Sequence, residues 1–464
     1  MAKRTAQLPD PLDVAGGNPP RRTKLQQAQQ NQRSARAVDF LIGTALLALL
    51  SPLLLARALR SRYQSGAILV RTPLIGKDRI PFQRLSFSGT GRFRALAVWL
   101  NVVRGDLAIV GPQPLGADEA MAIAADDPVR FSVRPGLISP FAIRSRIGLT
   151  HESESAIDRD RVYRRSLKGD LGLIARFLVS SMLSGDAETP REKPEIVNFF
   201  GVPVRNTTMR EAIDWIVAHA TDSQAKSLAF VNPDCLNIAW NNADYRAALV
   251  EADLVLPDGI GIRLGCRMRG IALQANVNGT DMFPLLCEAA ARNRLPIYLL
   301  GARPGVARAA ADNMVERFPE LQIAGTQDGY FPPEEEERVV ARINRSGARI
   351  LLVAFGAPRQ ELWLRRWRER LTTSVNMGVG GLFDFYSGRI RRAPIWMREI
   401  GLEWVYRLIQ EPGRMWRRYI IGNPLFLLRV RQQIRHPERF ALATDSDARA
   451  GLGDTHKTTG DQHG

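Results

Sequence analysis

The chain has 464 residues, enough for two or three domains, and its 45% hydrophobic and 24% charged content suits ordinary folded cores. Its charge is not ordinary: 64 Lys and Arg against 47 Asp and Glu leave +17, a balance suited to an anionic membrane surface or phosphorylated substrates. Nucleic acid is set aside as a partner, because no RNA-binding aromatic signature, zinc-finger spacing or helix-turn-helix is present.

Residues 1–32 mix Gln, Arg, Lys, Pro and Gly with few apolar residues, and read as a disordered basic tail. Ala37 to Ala56 is almost wholly apolar, with Asp39 near its start and Ser51-Pro52 inside it. Its length allows one membrane-spanning helix. Both flanks are basic, however: Arg33 and Arg36 before it, Arg57, Arg60 and Arg62 after it. That pattern predicts a helix over 37–59 broken at Ser51-Pro52, entering a membrane and returning on the same face, with Ser51 satisfying a freed carbonyl. A spanning helix and a buried soluble helix are the alternatives.

Arg36 and Asp39, Ser51-Pro52, Gly66 to Arg71 and Gly76-Lys77-Asp78 then occur in a fixed order. Asn101-Val102-Val103-Arg104-Gly105-Asp106, Val110-Gly111-Pro112-Gln113-Pro114 and Val133-Arg134-Pro135-Gly136 continue it. Over roughly a hundred residues this resembles the bacterial sugar transferases, the monotopic phosphoglycosyl transferases that load a sugar phosphate onto a polyprenyl phosphate. That family places an Asp-Glu pair shortly before the Asn-Val-x-x-Gly-Asp segment, and those two positions hold Arg94 and Ala95 here. Its Lys-Phe-Arg is Ser86-Phe87-Ser88, and its Pro-Arg-Pro is Pro112-Gln113-Pro114. Without the carboxylates there is no covalent phosphosugar chemistry of that type. Residues 33–184 therefore read as a degenerate, α-rich copy kept as a membrane anchor or docking surface. Residues 146–185 read as helical, and 185–195 as a charged linker.

From about residue 196 the pattern alternates. Strand-like runs at 227–231, 253–256, 296–300, 350–355 and 374–379 are separated by helical stretches near 208–220, 240–250, 281–292, 305–317, 335–345 and 359–370. This predicts an α/β domain over 196–400, a Rossmann-like parallel sheet flanked by helices, with its site in the strand-to-helix loops at one edge. Those loops hold Asn232-Pro233-Asp234, Pro257-Asp258-Gly259 and Asn278-Gly279-Thr280-Asp281. Gly301-Ala302-Arg303, Gly356-Ala357-Pro358-Arg359-Gln360 and Gly380-Gly381-Leu382-Phe383-Asp384 follow. Asp258, after a strand stopped by Pro257 and before a turn permitted by Gly259, can accept a proton from an attacking hydroxyl. The three cysteines (Cys235, Cys266, Cys287) and five histidines suggest no disulfide framework, metal set or Ser-His-Asp arrangement.

Leu256-Pro257-Asp258-Gly259, Gly279-Thr280-Asp281, Leu299-Leu300-Gly301 and Gly325 to Phe331 match a second family. So do Gly356 to Glu361, Gly380 to Asp384, Arg392-Ala393-Pro394 and Gly401 to Arg407. Over about 197–430 the chain resembles the WecG/TagA/CpsF glycosyltransferases, glycosyltransferase family 26. The resemblance implies inverting transfer from a nucleotide-diphosphate sugar, taken as a UDP-sugar, to a polyprenyl-diphosphate-linked sugar, with no metal or other cofactor. By position Asp258 is the base, Asn232 the site asparagine and Gln360 the site glutamine. Asn278, Gly279, Thr280, Asp281, Gly301, Arg303, Gly356, Pro358, Gly380, Gly381 and Asp384 are expected to bind substrate. The resemblance also gives a basic appendage, 401–440, the task of closing over the site at the membrane. There Arg407, Arg414, Arg417 and Arg418 would take the charge of the departing diphosphate, since guanidinium forks bind phosphate oxygens in pairs. A threonine common two places before the asparagine is Phe230 here, and an arginine common before Gly-Ser/Thr-Asp is Asn276. The appendage interleaves Trp416, Tyr419, Ile420 and Ile421 with bases, which suits a segment lying on an anionic bilayer; residues 441–464 read as a disordered tail. The expected setting is polysaccharide assembly at the cytoplasmic face of the bacterial inner membrane, and a homo-oligomer is compatible with it. Two other functions fit less of the chain: a phosphoglycosyl transferase acting through residues 33–145, and a non-catalytic membrane scaffold.

Overall fold

The computed structural model describes residues 21–89, 93–124, 128–147, 154–163, 166–184 and 192–440. The tail readings for 1–20 and 441–464, and the linker reading for 185–191, lie outside the described residues. The chain divides into two compact units, Met1–Arg146 with Glu152–Leu183, and Ile147–His151 with Ser184–Gly464.

In the first unit a helix, Arg21–Leu49, begins within the stretch read as a tail, and a second follows at Ser51–Ser65. The segments Ala35–Leu49 and Ser51–Ser65 are bent by 69° at the break the sequence places there. Ser51 Oγ donates to the Ala48 carbonyl at 2.8 Å, filling an acceptor near the break. Among the described residues no single helix is long and apolar enough to cross a membrane, though this bent pair passes the same test jointly. A hairpin of β1 (Leu69–Ile75) and β2 (Pro81–Phe87) follows, then β3 (Ala108–Val110) paired in parallel with β4 (Gly136–Ile138). The family-like motifs serve as struts. Asn101, fully buried, donates to the Gln83 carbonyl at 2.7 Å and Asp106 at 2.9 Å while accepting from the Leu85 N–H at 2.9 Å. Arg36 donates to the carbonyls of Val102 and Val103, both at 2.6 Å. Arg94 and Ala95, standing where carboxylates were expected, are exposed.

The second unit opens with a hairpin, β5 (Ile196–Phe199) and β6 (Val202–Arg205). The main sheet comprises β7 (Lys226–Val231), β8 (Leu254–Pro257), β9 (Ile297–Gly301), β10 (Ile323–Gln327), β11 (Ile350–Ala354) and β12 (Val375–Gly378). All six are parallel, in the order β10-β9-β11-β12-β7-β8. Parallel strands covered on both faces read as unbroken apolar runs, which describes β8, β9, β11 and the last four residues of β7. Alternate residues serve opposite faces. Leu228, Leu256, Leu299 and Leu352 join one core with Ile216, Leu286 and Ala310 from helices Met209–His219, Gly279–Asn293 and Val306–Arg317. Ala229 and Val255 face Leu236, Leu249 and Ile262 on the other side, where Leu300 and Val353 meet Ile343 and Trp363. This is the α/β sheet the alternation predicts. The three cysteines are buried and free.

The C-terminal segment is part of this body. Its last long helix, Gly422–Arg435, sinks Phe426 and Val430, both 0% exposed, into the core beside the β5–β6 hairpin. The Phe426 ring lies 5.8 Å from those of both Phe199 and Phe200.

Candidate active site

Asp258 follows the last residue of β8, and its backbone N–H donates to the Val231 carbonyl of β7 at 2.8 Å. Gly259, at φ +94°, then turns the chain into helix Ile260–Met268, a conformation costly for any residue with a Cβ. The turn is held from outside: Asn276 Oδ1 accepts the Gly259 N–H at 2.6 Å. Two residues on, a Cβ at Gly261 would come within 2.3 Å of the Pro233 ring, so only glycine lets the ends of β7 and β8 meet so closely. Asn232 caps helix Pro233–Asn241, its Oδ1 accepting from the N–H groups of Asp234 at 3.0 Å and Cys235 at 3.1 Å.

These residues form part of the lining of an open cleft. Asn232, Asp258, Asn276, Asn278 and Thr280 line it from the sheet edge, Arg398 from helix Ile395–Arg398, and Glu403, Trp404, Arg407, Arg418, Tyr419 and Asn423 from the C-terminal segment. The Trp404 and Tyr419 rings lie 5.9 Å apart. Arg418 sits in the π-helical turn Arg417–Ile421, a wider coil frequent at functional positions. It makes a long contact, 3.5 Å, with Asp234 and lies over the Tyr419 ring at 5.5 Å; Arg407 lies 3.8 Å from Glu411 and over the Phe385 ring at 5.0 Å, and among the described residues its Nε–H has no acceptor. Both guanidinium groups are thus held in the cleft with donors to spare.

Asp258 opens onto the cleft but is otherwise surrounded by protein. Burial pushes its pKa from 3.8 up to about 6, and Glu403 pushes the same way, while Arg418, the neighbouring Asn232 amide and Arg407 favour its charged form. A carboxylate so poised is a competent proton acceptor near neutral pH.

Of the residues expected at the site, Asp258, Asn232, Asn278, Thr280, Arg407 and Arg418 line the cleft together. Gln360 does not: it is 4% exposed and its Oε1 accepts the N–H groups of Gly356 and Gly380, each at 3.0 Å, tying two loops together. Its Nε2 donates to Glu361, whose pKa burial raises to about 7 despite that bond. Gly356 and Pro358, the latter after a cis peptide bond, belong to one of those loops, and Gly380 and Gly381 to the other. Gly381 is the one that approaches Arg407. Gly279 starts its helix over the Phe230 ring, so the aromatic that replaces a threonine serves as packing. Asp281 is taken up by Arg392 and, at 3.5 Å, by Arg398, and Asp384 by Arg389 at 2.7 Å. Gly301 and the exposed Arg303 end β9, four strands from β8 and about 19 Å along the sheet. Arg414 reaches Glu411 at 3.5 Å, and Arg417 lies over Trp416; neither lines the cleft. Residues without an expected role do line it, Arg398, Glu403, Trp404 and Asn423, and so does Tyr419, which the sequence assigned to a bilayer-facing segment. Glu403 and Trp404 lay within the Gly401 to Arg407 match, which was the available signal. Among the described residues, no group of three or more His, Cys, Asp or Glu could hold a metal ion.

A parallel sheet that presents a carboxylate and guanidinium groups in one cleft is an α/β site with a proton acceptor and cations able to hold phosphate oxygens. The chain belongs to the glycosyl transferase WecG/TagA/CpsF family, whose sequence pattern matches residues 197–439, and it is a glycosyltransferase. It is similar to N-acetylglucosaminyldiphosphoundecaprenol N-acetyl-beta-D-mannosaminyltransferase of Bacillus subtilis (strain 168). The two are 32% identical over 247 residues, covering 53% of this chain and 95% of the relative.

Proposed function

We propose that the protein moves a sugar from a nucleoside-diphosphate donor, a UDP-sugar, to a polyprenyl-diphosphate-linked saccharide, inverting the anomeric centre. The acceptor class is drawn from the Bacillus relative, whose name specifies a diphosphoundecaprenol-linked N-acetylglucosamine. The single observation that carries the chemistry is Asp258 sharing a cleft with Arg407 and Arg418. Asp258 takes the proton of an acceptor hydroxyl as its oxygen forms a bond to the anomeric carbon. The bond from that carbon to the diphosphate breaks on the opposite side, and the diphosphate leaves with the electron pair. Arg407 and Arg418 hold the charge that develops there. Gln360 acts from beneath, keeping the Gly356 and Gly380 loops in place.

The first unit is proposed as a membrane anchor derived from a sugar transferase. Supporting this are the bent helix pair, its exposed Phe40, Leu41, Leu49, Leu55 and Leu59, and the motifs turned to structural use. It would hold the enzyme at the cytoplasmic face of the inner membrane, beside a lipid-linked acceptor of a cell-surface polysaccharide.

The nucleotide product tests the reading against phosphoglycosyl transfer. Membranes carrying the protein, given labelled UDP-sugars and lipid-diphosphate acceptor, are expected to release UDP. Release of UMP with a lipid-linked sugar-phosphate product would assign the chemistry to the first unit instead, and release of neither would favour a scaffold.

A further inference from the structure

Gln360 ties two loops together, but an amide can do so in only one of its two orientations. With Oε1 toward the N–H groups of Gly356 and Gly380 it satisfies both, each at 3.0 Å; turned over, its NH2 would face two donors and satisfy neither. The next residue selects between the two. Gln360 Nε2 donates to Glu361 Oε1 at 2.8 Å, and an accepting oxygen at that point favours the amide nitrogen and disfavours the amide oxygen. The end of β12 is shaped around the pair. A Cβ at Gly378 would stand 2.7 Å from Gln360 Nε2 and 3.0 Å from Glu361 Oε1. Its φ lies outside the left-handed region, so space rather than backbone conformation calls for glycine there.

Glu361 is otherwise a poor residue to bury. It is 5% exposed, its Oε2 meets no donor among the described residues, and burial holds the nearby Cys235 thiol and Tyr245 hydroxyl in their neutral forms. It also lines a small pocket whose arginines, Arg365 and Arg368, are engaged by Glu251 at 2.7 Å and Asp253 at 2.9 Å. An apolar side chain of similar volume would fill the position without a carboxyl to desolvate. What it would not supply is the acceptor. We infer that Glu361 is a positioning residue for sugar transfer: it fixes the amide of Gln360, and through that amide the Gly380 loop beside Arg407. A Cβ at Gly381 in that loop would lie 3.7 Å from Arg407 Nη2, on the guanidinium group proposed to take the charge of the departing diphosphate. The role lies in an accepting oxygen and not in a negative charge, so glutamine can replace Glu361 and leucine cannot. The inference rests on the reaction proposed above.

The test is a double-mutant cycle on the full-length protein, read as kcat and KM for sugar transfer and, separately, as UDP affinity by calorimetry. Glu361→Leu is expected to lower kcat about 10-fold or more with little change in the donor KM, because a displaced Arg407 acts on charge that develops in the transition state. Glu361→Gln restores activity close to that of the wild type. In a Gln360→Leu background, Glu361→Leu is expected to cost at most about a further 2-fold, since Glu361 then has no amide to hold. Thermal melting verifies that each variant folds. Should either leucine variant fail to fold, Gly378→Ala stands in for it, because its methyl group enters the contact between the two side chains and leaves both in the protein. Wild-type kcat in Glu361→Leu, equal losses in Glu361→Leu and Glu361→Gln, or full additivity in the cycle overturns the inference and leaves the reaction standing. UDP binding that Glu361→Leu weakens and Glu361→Gln keeps, in a protein whose wild type transfers no sugar, keeps the inference and sinks the reaction. A wild type that neither binds UDP nor transfers sugar sinks both.

Discussion

Asp258 illustrates how one side chain acquires its properties from its neighbours. The backbone of β7 fixes its depth, Gly259 and Asn276 fix the turn beyond it, and burial raises its pKa to about 6. In the proposed role of base Asp258 works only when ionised, so the sign is determined: activity is expected to fall as pH drops through the raised pKa. The pH profile of kcat/KM is expected to show an acidic limb near 6, and a limb near 4, the ordinary carboxylate range, would contradict the environment described for this group. Asp258 was legible in the sequence because Pro257 and Gly259 bracket it. Gln360 was legible as important but not as a loop tie, because its two backbone donors, Gly356 and Gly380, lie 4 residues before it and 20 residues after it in sequence. Arg414 and Arg417 share the composition of Arg407 and Arg418. Only the helical phase of the segment, including its π-helical turn, decides which of the four reach the cleft.

Among elements, the C-terminal segment matters most, because it supplies Arg407, Arg418, Trp404 and Tyr419 to the cleft. Its position depends on the buried Phe426 and on polar ties such as Asn237 Nδ2 donating to the Gly422 carbonyl at 2.7 Å. Phe426→Ala is expected to destabilise the second unit by about 3–5 kcal/mol, read as a fall in denaturation midpoint. A shift below about 1 kcal/mol would mean that the segment is only loosely attached. The sequence showed five of the six sheet strands within a residue or two, because four of them contain a short, uninterrupted apolar run and Val375 and Met377 mark the fifth. It hid β10, whose Ile-Ala-Gly-Thr-Gln is small, polar and half-buried at the sheet edge, with Gly325 lying against the Tyr298 ring. Helix Ile260–Met268 was hidden too, since glycines and arginines dilute its pattern. Its role becomes visible only when Gly261 meets Pro233 in space.

For the molecule as a whole, a net charge of +17 and the exposed apolar residues of the bent helix pair argue for work at an anionic bilayer. Deleting residues 1–65 is expected to move the protein from the membrane to the soluble fraction in high salt, whereas unchanged partitioning would assign membrane binding to the C-terminal segment. The most direct test of the central claim is the rate of sugar transfer by Asp258→Asn, measured on the full-length protein in membranes with chelator present. The wild type is expected to turn over under these conditions, and the variant to lose about 10²–10⁴-fold in kcat while still binding the UDP-sugar. A variant that transfers sugar at a rate close to that of the wild type would leave the carboxylate at the end of β8 without the role assigned to it.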